Sequence, residues 1–189
     1  NLLPAITAGN NPSVCANNNG NNCPAITATG GNSYVWSPVN GLSNPNISNP
    51  VSCTTVTTTY TVTGTDANGC SDTASTTVTT LSPPVVTVSA PTSICLGQTT
   101  ATLNAGTTSS GGSYSWVPAT GLSNPNISNP VASPNSTSAY TVTYTDNNGC
   151  SDSKTVLVTV NPLPVIDAGS DVSVCQGSST TLLGNGTPS

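Results

Sequence analysis

The chain has 189 residues, a net charge of −5 and a charged fraction of 4%, far below the roughly 25% of an ordinary soluble domain. Its single cation is Lys154, its six acids are all Asp, and it has no His, Arg, Glu, Met or Phe. That inventory excludes nucleic acid and anionic membrane surfaces as partners, since both are held by Lys and Arg. It also leaves acid–base and nucleophilic catalysis almost no groups to use.

No apolar run approaches the ~20 residues of a spanning helix, so no membrane insertion is expected of this segment. No export signal is visible and the chain opens in mid-pattern at Asn1, so it is expected to be a piece of something longer. Disorder goes with high net charge and few β-branched residues. Here Thr, Ser and Asn do the solvating, and Val alternates with Thr as a half-buried pleated surface favours. The expectation is a folded, all-β chain.

Displacing the sequence by 80 residues aligns it with itself without a gap. Gly41–Val51 and Gly121–Val131 are both GLSNPNISNPV, and Tyr34-Val35-Trp36 meets Tyr114-Ser115-Trp116. Tyr60–Thr63 meets Tyr140–Thr143, Asn68–Asp72 meets Asn148–Asp152, and Cys15, Cys95 and Cys175 fall in one register. A fixed period sets the architecture before any residue is interpreted. The reading is two modules, 1–80 and 81–160, with the first strands of a third over 161–189.

Within the second module, Val85–Ser89 reads as a first strand entered from Pro83-Pro84. Leu96-Gly97-Gln98 is a turn, and Thr99–Ala105 a second strand with Ala101, Leu103 and Ala105 on one face. Gly111-Gly112 precedes Ser113–Val117, where Tyr114 and Trp116 share a face, and Ala139–Thr145 alternates Tyr140, Val142 and Tyr144 inward. Asp146–Gly149 has hairpin-turn chemistry, and Ser151–Val160 returns with Val156, Val158 and Val160 inward. Short strands, frequent turns and a Trp in the third strand describe tandem immunoglobulin-like β-sandwich modules. Tyr34, Trp36, Tyr60 and Val62, with Tyr114, Trp116, Tyr140 and Val142, are the expected core. Linkers such as Asn161-Pro162-Leu163-Pro164 are short and Pro-containing, so the modules are expected to join end to end in a nearly fixed orientation.

The eleven repeated residues fall between the Trp strand and the Tyr-Thr-Val-Thr strand. Asn44-Pro45 and Asn49-Pro50 cannot continue a central ladder, which places the segment at a sandwich edge, where it blocks strand addition. The alternatives are a contact surface recurring in every module, through which copies pack laterally, or a ligand site.

Seven cysteines without His or a CxxC pair suit disulfides in an oxidising compartment better than zinc. Cys23 and Cys53 occur only in the first module, opposite Leu103 and Ser133 in the 80-residue alignment, and are expected to pair across neighbouring strands. For the rest, two schemes stand. Within-module pairing gives Cys15–Cys70 and Cys95–Cys150; pairing across the junction gives Cys15–Cys150. Cys175 is expected to find its partner beyond Ser189.

Asp66 and Asp72, repeated as Asp146 and Asp152, flank the last hairpin turn. Paired carboxylates suggest a hydrolase or a calcium site, but the full calcium-loop pattern is absent, and Asp in a tight turn accepts local backbone hydrogen bonds. No catalytic, cofactor or metal site is expected. The aromatics are assigned to the core in preference to a sugar-binding groove. Asn46, Asn126, Asn135 and Asn185 begin N-x-S/T triplets, a weak signal in a chain this rich in those residues.

Ser-Val-Cys or Ser-Ile-Cys, then Thr-Leu, Tyr-x-Trp, Tyr-Thr-Val-Thr-x-Thr-Asp-x-Asn-Gly-Cys and a closing Val-Thr strand resemble the immunoglobulin-like and PKD-like repeats of giant Bacteroidota surface proteins. The resemblance covers the whole chain. It implies export by type IX secretion and a role in surface adhesins, gliding-associated proteins or extracellular filaments. It also implies O-glycosylation at Asp-Thr-Ala, matched at Thr73, while Asp152-Ser153-Lys154 departs from that pattern. Three functions follow: a structural stalk or filament that assembles with other modules or copies; a glycan- or surface-binding adhesive module; and a spacer in a secreted enzyme.

Overall fold

The computed structural model describes residues 3–17, 22–97 and 100–187. Gln98 and Thr99, read above as turn and strand start, lie outside the described residues. Among the described residues the secondary structure is strand and turn, without helix. Two compact units form: Asn1–Val85 with Thr145–Asp152, and Val86–Tyr144 with Ser153–Ser189.

In the first unit the strands are β1 (Thr7–Gly9), β2 (Ser13–Cys15), β3 (Thr27–Thr29), β4 (Ser33–Ser37), β5 (Thr58–Thr65) and β6 (Ser71–Leu81). One sheet has the order β2-β6-β5-β4; the facing layer is β1-β3, extended by isolated bridges Ala25–Val51 and Leu42–Ser52. β5 places Tyr60 and Val62 inward and Thr59, Thr61 and Thr63 outward, the period-two pattern of a sheet with one face in a core. Trp36, Tyr60, Val62, Val78 and Val14 pack from this sheet against Ile6, Ile26 and Ala28 of the other layer.

The second unit has β7 (Val86–Val88), β8 (Thr92–Cys95), β9 (Ala101–Thr102), β10 (Ala105–Thr107), β11 (Ser113–Val117), β12 (Val131–Ala132), β13 (Ser138–Thr145) and β14 (Ser151–Asn161). The sheet β8-β14-β13-β11 faces the pairs β7-β10 and β9-β12 across a core of Leu103, Trp116, Tyr140, Val142, Tyr144, Val156 and Val158. Beyond it β15 (Val165–Asp167) pairs antiparallel with β16 (Asn185–Thr187). The architecture is all-β, of immunoglobulin-like sandwiches. Ser-Val-Cys and Ser-Ile-Cys, to which the sequence assigned no strand, lie in strands: β2 and β8 run parallel to the last strands β6 and β14.

The gap-free alignment fails at the second strand. Backbone N–H groups of Ile26 and Ala28 donate to the carbonyls of Pro50 and Ser48, as those of Leu103 and Ala105 do to Pro130 and Ser128. Ile26 therefore holds the core position of Leu103, both being fully buried. The second strand is displaced by three residues between the units, with three more residues before it in the first and three more after it in the second. The two cores differ at a further place. Tyr144 occupies the core at the place of Gly64, where a Cβ would lie 2.3 Å from the Ile6 side chain. The Tyr144 hydroxyl accepts from Gly112 N–H and donates to Ser109 C=O across the longer loop; in the first unit Tyr34 makes the equivalent pair of bonds with Gly31.

Trp36, Tyr60 and Val62, with Trp116, Tyr140 and Val142, are buried, whereas Tyr34 and Tyr114 are only half-buried at the core margin. Each follows from its strand: Tyr34 and Tyr114 stand two residues before their Trp, near the open end of the sandwich, where Tyr114 tilts against Tyr144 at 4.9 Å between ring centroids.

Candidate functional site

Parallel pairing of β2 with β6 sets Cys15 beside Leu81, at the far end of an eleven-residue strand whose first residue follows Cys70. At ~3.3 Å per residue over the length of β6, Cys15 and Cys70 are therefore about 36 Å apart. Cys95 beside Asn161, and Cys150 just before Ser151, repeat the arrangement. The within-module pairs Cys15–Cys70 and Cys95–Cys150 are thus ruled out by strand length. Cys15 bonds Cys150, with Cα atoms 5.5 Å apart and 135 residues between them in sequence. The bond lies inside the first unit, because the turn Thr145–Asp152 belongs to that unit although its sequence is that of the second repeat. Asn17 reinforces it, donating from Nδ2 to Ser151 C=O at 2.8 Å.

Cys23 bonds Cys53, Cα to Cα 4.9 Å. Both residues lie just outside the paired strands, since the three-residue displacement moves Cys23 ahead of the second strand and leaves Ile26 opposite Leu103. Cys70 carries a half-buried thiol and Cys175 an exposed one.

The last hairpin turns are alike in both repeats. Asp66 Oδ1 accepts from Asn68 N–H at 2.8 Å and Cys70 N–H at 2.9 Å, and Asp66 N–H donates to Cys70 C=O. Asp146 makes the same bonds with Asn148 and Cys150, both at 2.9 Å. These carboxylates are occupied in closing the turn, and among the described residues no cluster of three metal-ligating side chains occurs. Asp72 Oδ1 accepts from Thr73 N–H, and the Thr73 side chain is exposed on β6.

The identical segments act as edge struts. Pro45 C=O accepts from Trp36 N–H and Ile47 C=O from the Trp36 indole N–H; Pro125 and Ile127 do the same for Trp116. Asn44 and Asn124 close turns onto the N–H groups of Asn46 and Asn126. Gly41, at φ +79°, accepts at its carbonyl from Cys53 N–H, as Gly121 does from Ser133 N–H. A shallow cleft of about 300 Å³ beside this strut is lined by Pro38, Asn40, Gly41, Cys53 and Thr54–Val56 and Thr58, without an ionisable group. Sequence reasoning found the cysteines and the strut but not the parallel strands that decide the pairing; the Ser-Val-Cys alternation was the available signal.

The fold and the disulfides define a class: all-β immunoglobulin-like tandem repeats with covalent cross-links. No known protein family and no curated protein matches the chain. Among solved structures it is similar to a C-terminal fragment of intimin in complex with a translocated intimin receptor domain (TM-score 0.44, 12% identity, 88% of this chain and 66% of that one). It is also similar to extracellular domains 3–5 of Drosophila OTK (0.41, 10%, 82% and 60%) and to Dpr2 Ig1-Ig2 in complex with DIP-Theta (0.38, 16%, 87% and 68%). The chain spans about 60% of the OTK and protocadherin structures it matches. The fold assignment rests on strand order and register.

Proposed function

We propose that this chain is a structural repeat segment of an extracellular stalk, filament or adhesin, its modules being sandwiches locked by disulfides. The supporting observation is the Cys15–Cys150 bond, which ties the first repeat to the last turn of the second and requires an oxidising compartment. Modules 1–80 and 81–160 would then be beads joined end to end, with 161–189 opening a third. The resemblance to Bacteroidota surface repeats extends the reading to type IX export, and exposed Thr73 is an accessible O-glycosylation site. A glycan-binding adhesive role is less favoured, since both Trp and three of five Tyr are buried and so withheld from sugar stacking. A spacer role in a secreted enzyme requires no feature beyond the same beads.

Peptide mapping of the oxidised protein after thiol blocking tests the reading. A Cys15–Cys150 cross-linked peptide is expected; recovery of both as blocked thiols would overturn it. Negative-stain images of longer arrays test the end-to-end geometry, which variable bend angles between beads would refute.

A further inference from the structure

The first repeat alone has a hydrogen-bonding side chain two residues after its Ser-Val-Cys or Ser-Ile-Cys. Asn17 stands where Gly97 and Gly177 sit, and those glycines take left-handed φ of +67° and +87°. Asn17 Nδ2 donates to the carbonyl of Ser151, the residue that follows Cys150. The contact therefore lies directly beside the disulfide, within the first unit.

Both sides of that contact are held by bonds other than the disulfide. Cys15 pairs with Leu81, and Ala16 N–H donates to Leu81 C=O at 2.9 Å, which fixes the end of β2 on β6. Opposite it, Asp146 Oδ1 accepts from Cys150 N–H, and Cys150 C=O accepts from Asp146 N–H. Asp66 makes the same two bonds with Cys70, whose thiol is free, so a turn of this kind closes without a disulfide. The Cys150 side chain is fully buried in this arrangement.

We propose that Asn17 is a positioning residue for oxidation: it holds Ser151 while both thiols are still reduced, and so brings Cys150 to Cys15. The inference rests on the Cys15–Cys150 bond that supports the functional reading. One net hydrogen bond raises the effective concentration of Cys150 at Cys15 by about 2- to 12-fold.

The step balances with glutathione disulfide as the two-electron oxidant. The Cys15 thiolate attacks it, giving a mixed disulfide at Cys15 and one glutathione thiolate. The Cys150 thiolate then attacks the Cys15 sulfur, forming the protein S–S bond and releasing the second glutathione. The two protons lost by the cysteines end on the two glutathione thiols.

The test equilibrates the purified full chain in glutathione redox buffers, followed by thiol blocking and mapping of cross-linked and glutathione-capped peptides. Asn17→Gly removes the side chain; Asn17→Asp keeps its shape and loses only the donor, since a carboxylate only accepts. Asn17→Gly should lower the Cys15–Cys150 exchange constant by about 2- to 12-fold, and Asn17→Asp by at least as much. The share of Cys15 left as thiol or capped by glutathione should rise accordingly, with the Cys23–Cys53 constant unchanged. Either variant keeping the wild-type constant would overturn the proposal, as would an equal loss at Cys23–Cys53, which marks a general loss of fold. A wild type without the Cys15–Cys150 bond overturns the functional reading as well; a bond undiminished in the variants removes the role of Asn17 alone.

Discussion

Pulling on the two ends of the chain tests the Cys15–Cys150 bond in its mechanical role. At 3.3–3.6 Å per extended residue, the fully reduced 189-residue chain stretches to about 620–680 Å. The bond removes the 135 residues between Cys15 and Cys150 from the load path, so the oxidised chain should reach only about 180–190 Å however high the force. The variant Cys15→Ser/Cys150→Ser keeps Cys23–Cys53, which hides 30 residues, and should extend to about 520–570 Å. Optical-trap extension of the wild type, the double variant and the wild type in dithiothreitol reads all three lengths directly. An oxidised wild type that releases more than about 500 Å would refute the reasoning, because the load path would then run through the polypeptide inside the loop.

Three further outcomes follow from the cores and struts. Burial raises the Tyr140 phenol above its ordinary value, with the hydrogen bond to Ser138 opposing the shift. The fold therefore keeps this contribution below the unfolded value of about pH 10 and loses it as pH rises through the folded one. Tyr140→Phe should lessen the fall of the urea midpoint above about pH 10, although it removes the bond to Thr120 C=O. Trp116→Phe leaves Ile127 C=O without its indole donor and should cost about 1–3 kcal/mol in urea unfolding of the second unit. Gly41→Ala and Gly69→Ala both place a side chain at positive φ, at a cost of about 1–2 kcal/mol. Only at Gly41 does the new Cβ also meet Tyr60 Oη at 3.1 Å and Thr54 N at 3.2 Å, so its urea midpoint should fall further; equal losses would refute the crowding.

What was legible in the sequence was whatever alternates or repeats within one strand. Ser113–Val117 is a strand with the bounds its alternation predicts, and Ala139–Thr145 begins one residue early. The Asp66 and Asp146 turns are read correctly from the residue types alone, because an Asp two residues before an Asn in a tight turn has its own backbone as nearest donor. What was not legible depended on which strand lies beside which. Parallel pairing of a three-residue strand with an eleven-residue one leaves little trace in either, yet it decides the disulfides. The offset of Ile26 against Leu103 was hidden for another reason: Ala25 and Thr27 match Ala105 and Thr107 at 80 residues by composition, while the core requires a large aliphatic chain and accepts it three residues along.

The same distinction bears on the eleven identical residues. Identity across two copies invites a search for a shared partner, but many backbone groups of GLSNPNISNPV already have an internal task. Its carbonyls hold the Trp backbone, the Trp indole and the second strand; the Asn44 and Asn124 side chains close turns; its Ser43 and Ser123 hydroxyls accept from Val51 and Val131 N–H. These internal bonds give the segment a structural task in each unit that requires no external contact. What remains for a neighbour is the partly exposed apolar pair Ile47 and Val51, repeated as Ile127 and Val131 at the same 37–38% exposure. A lateral contact between copies would have to use those side chains, on an edge whose prolines deny it backbone pairing. Association by that edge would therefore be side-chain packing alone, weak for one module and gaining strength only through repetition along an array.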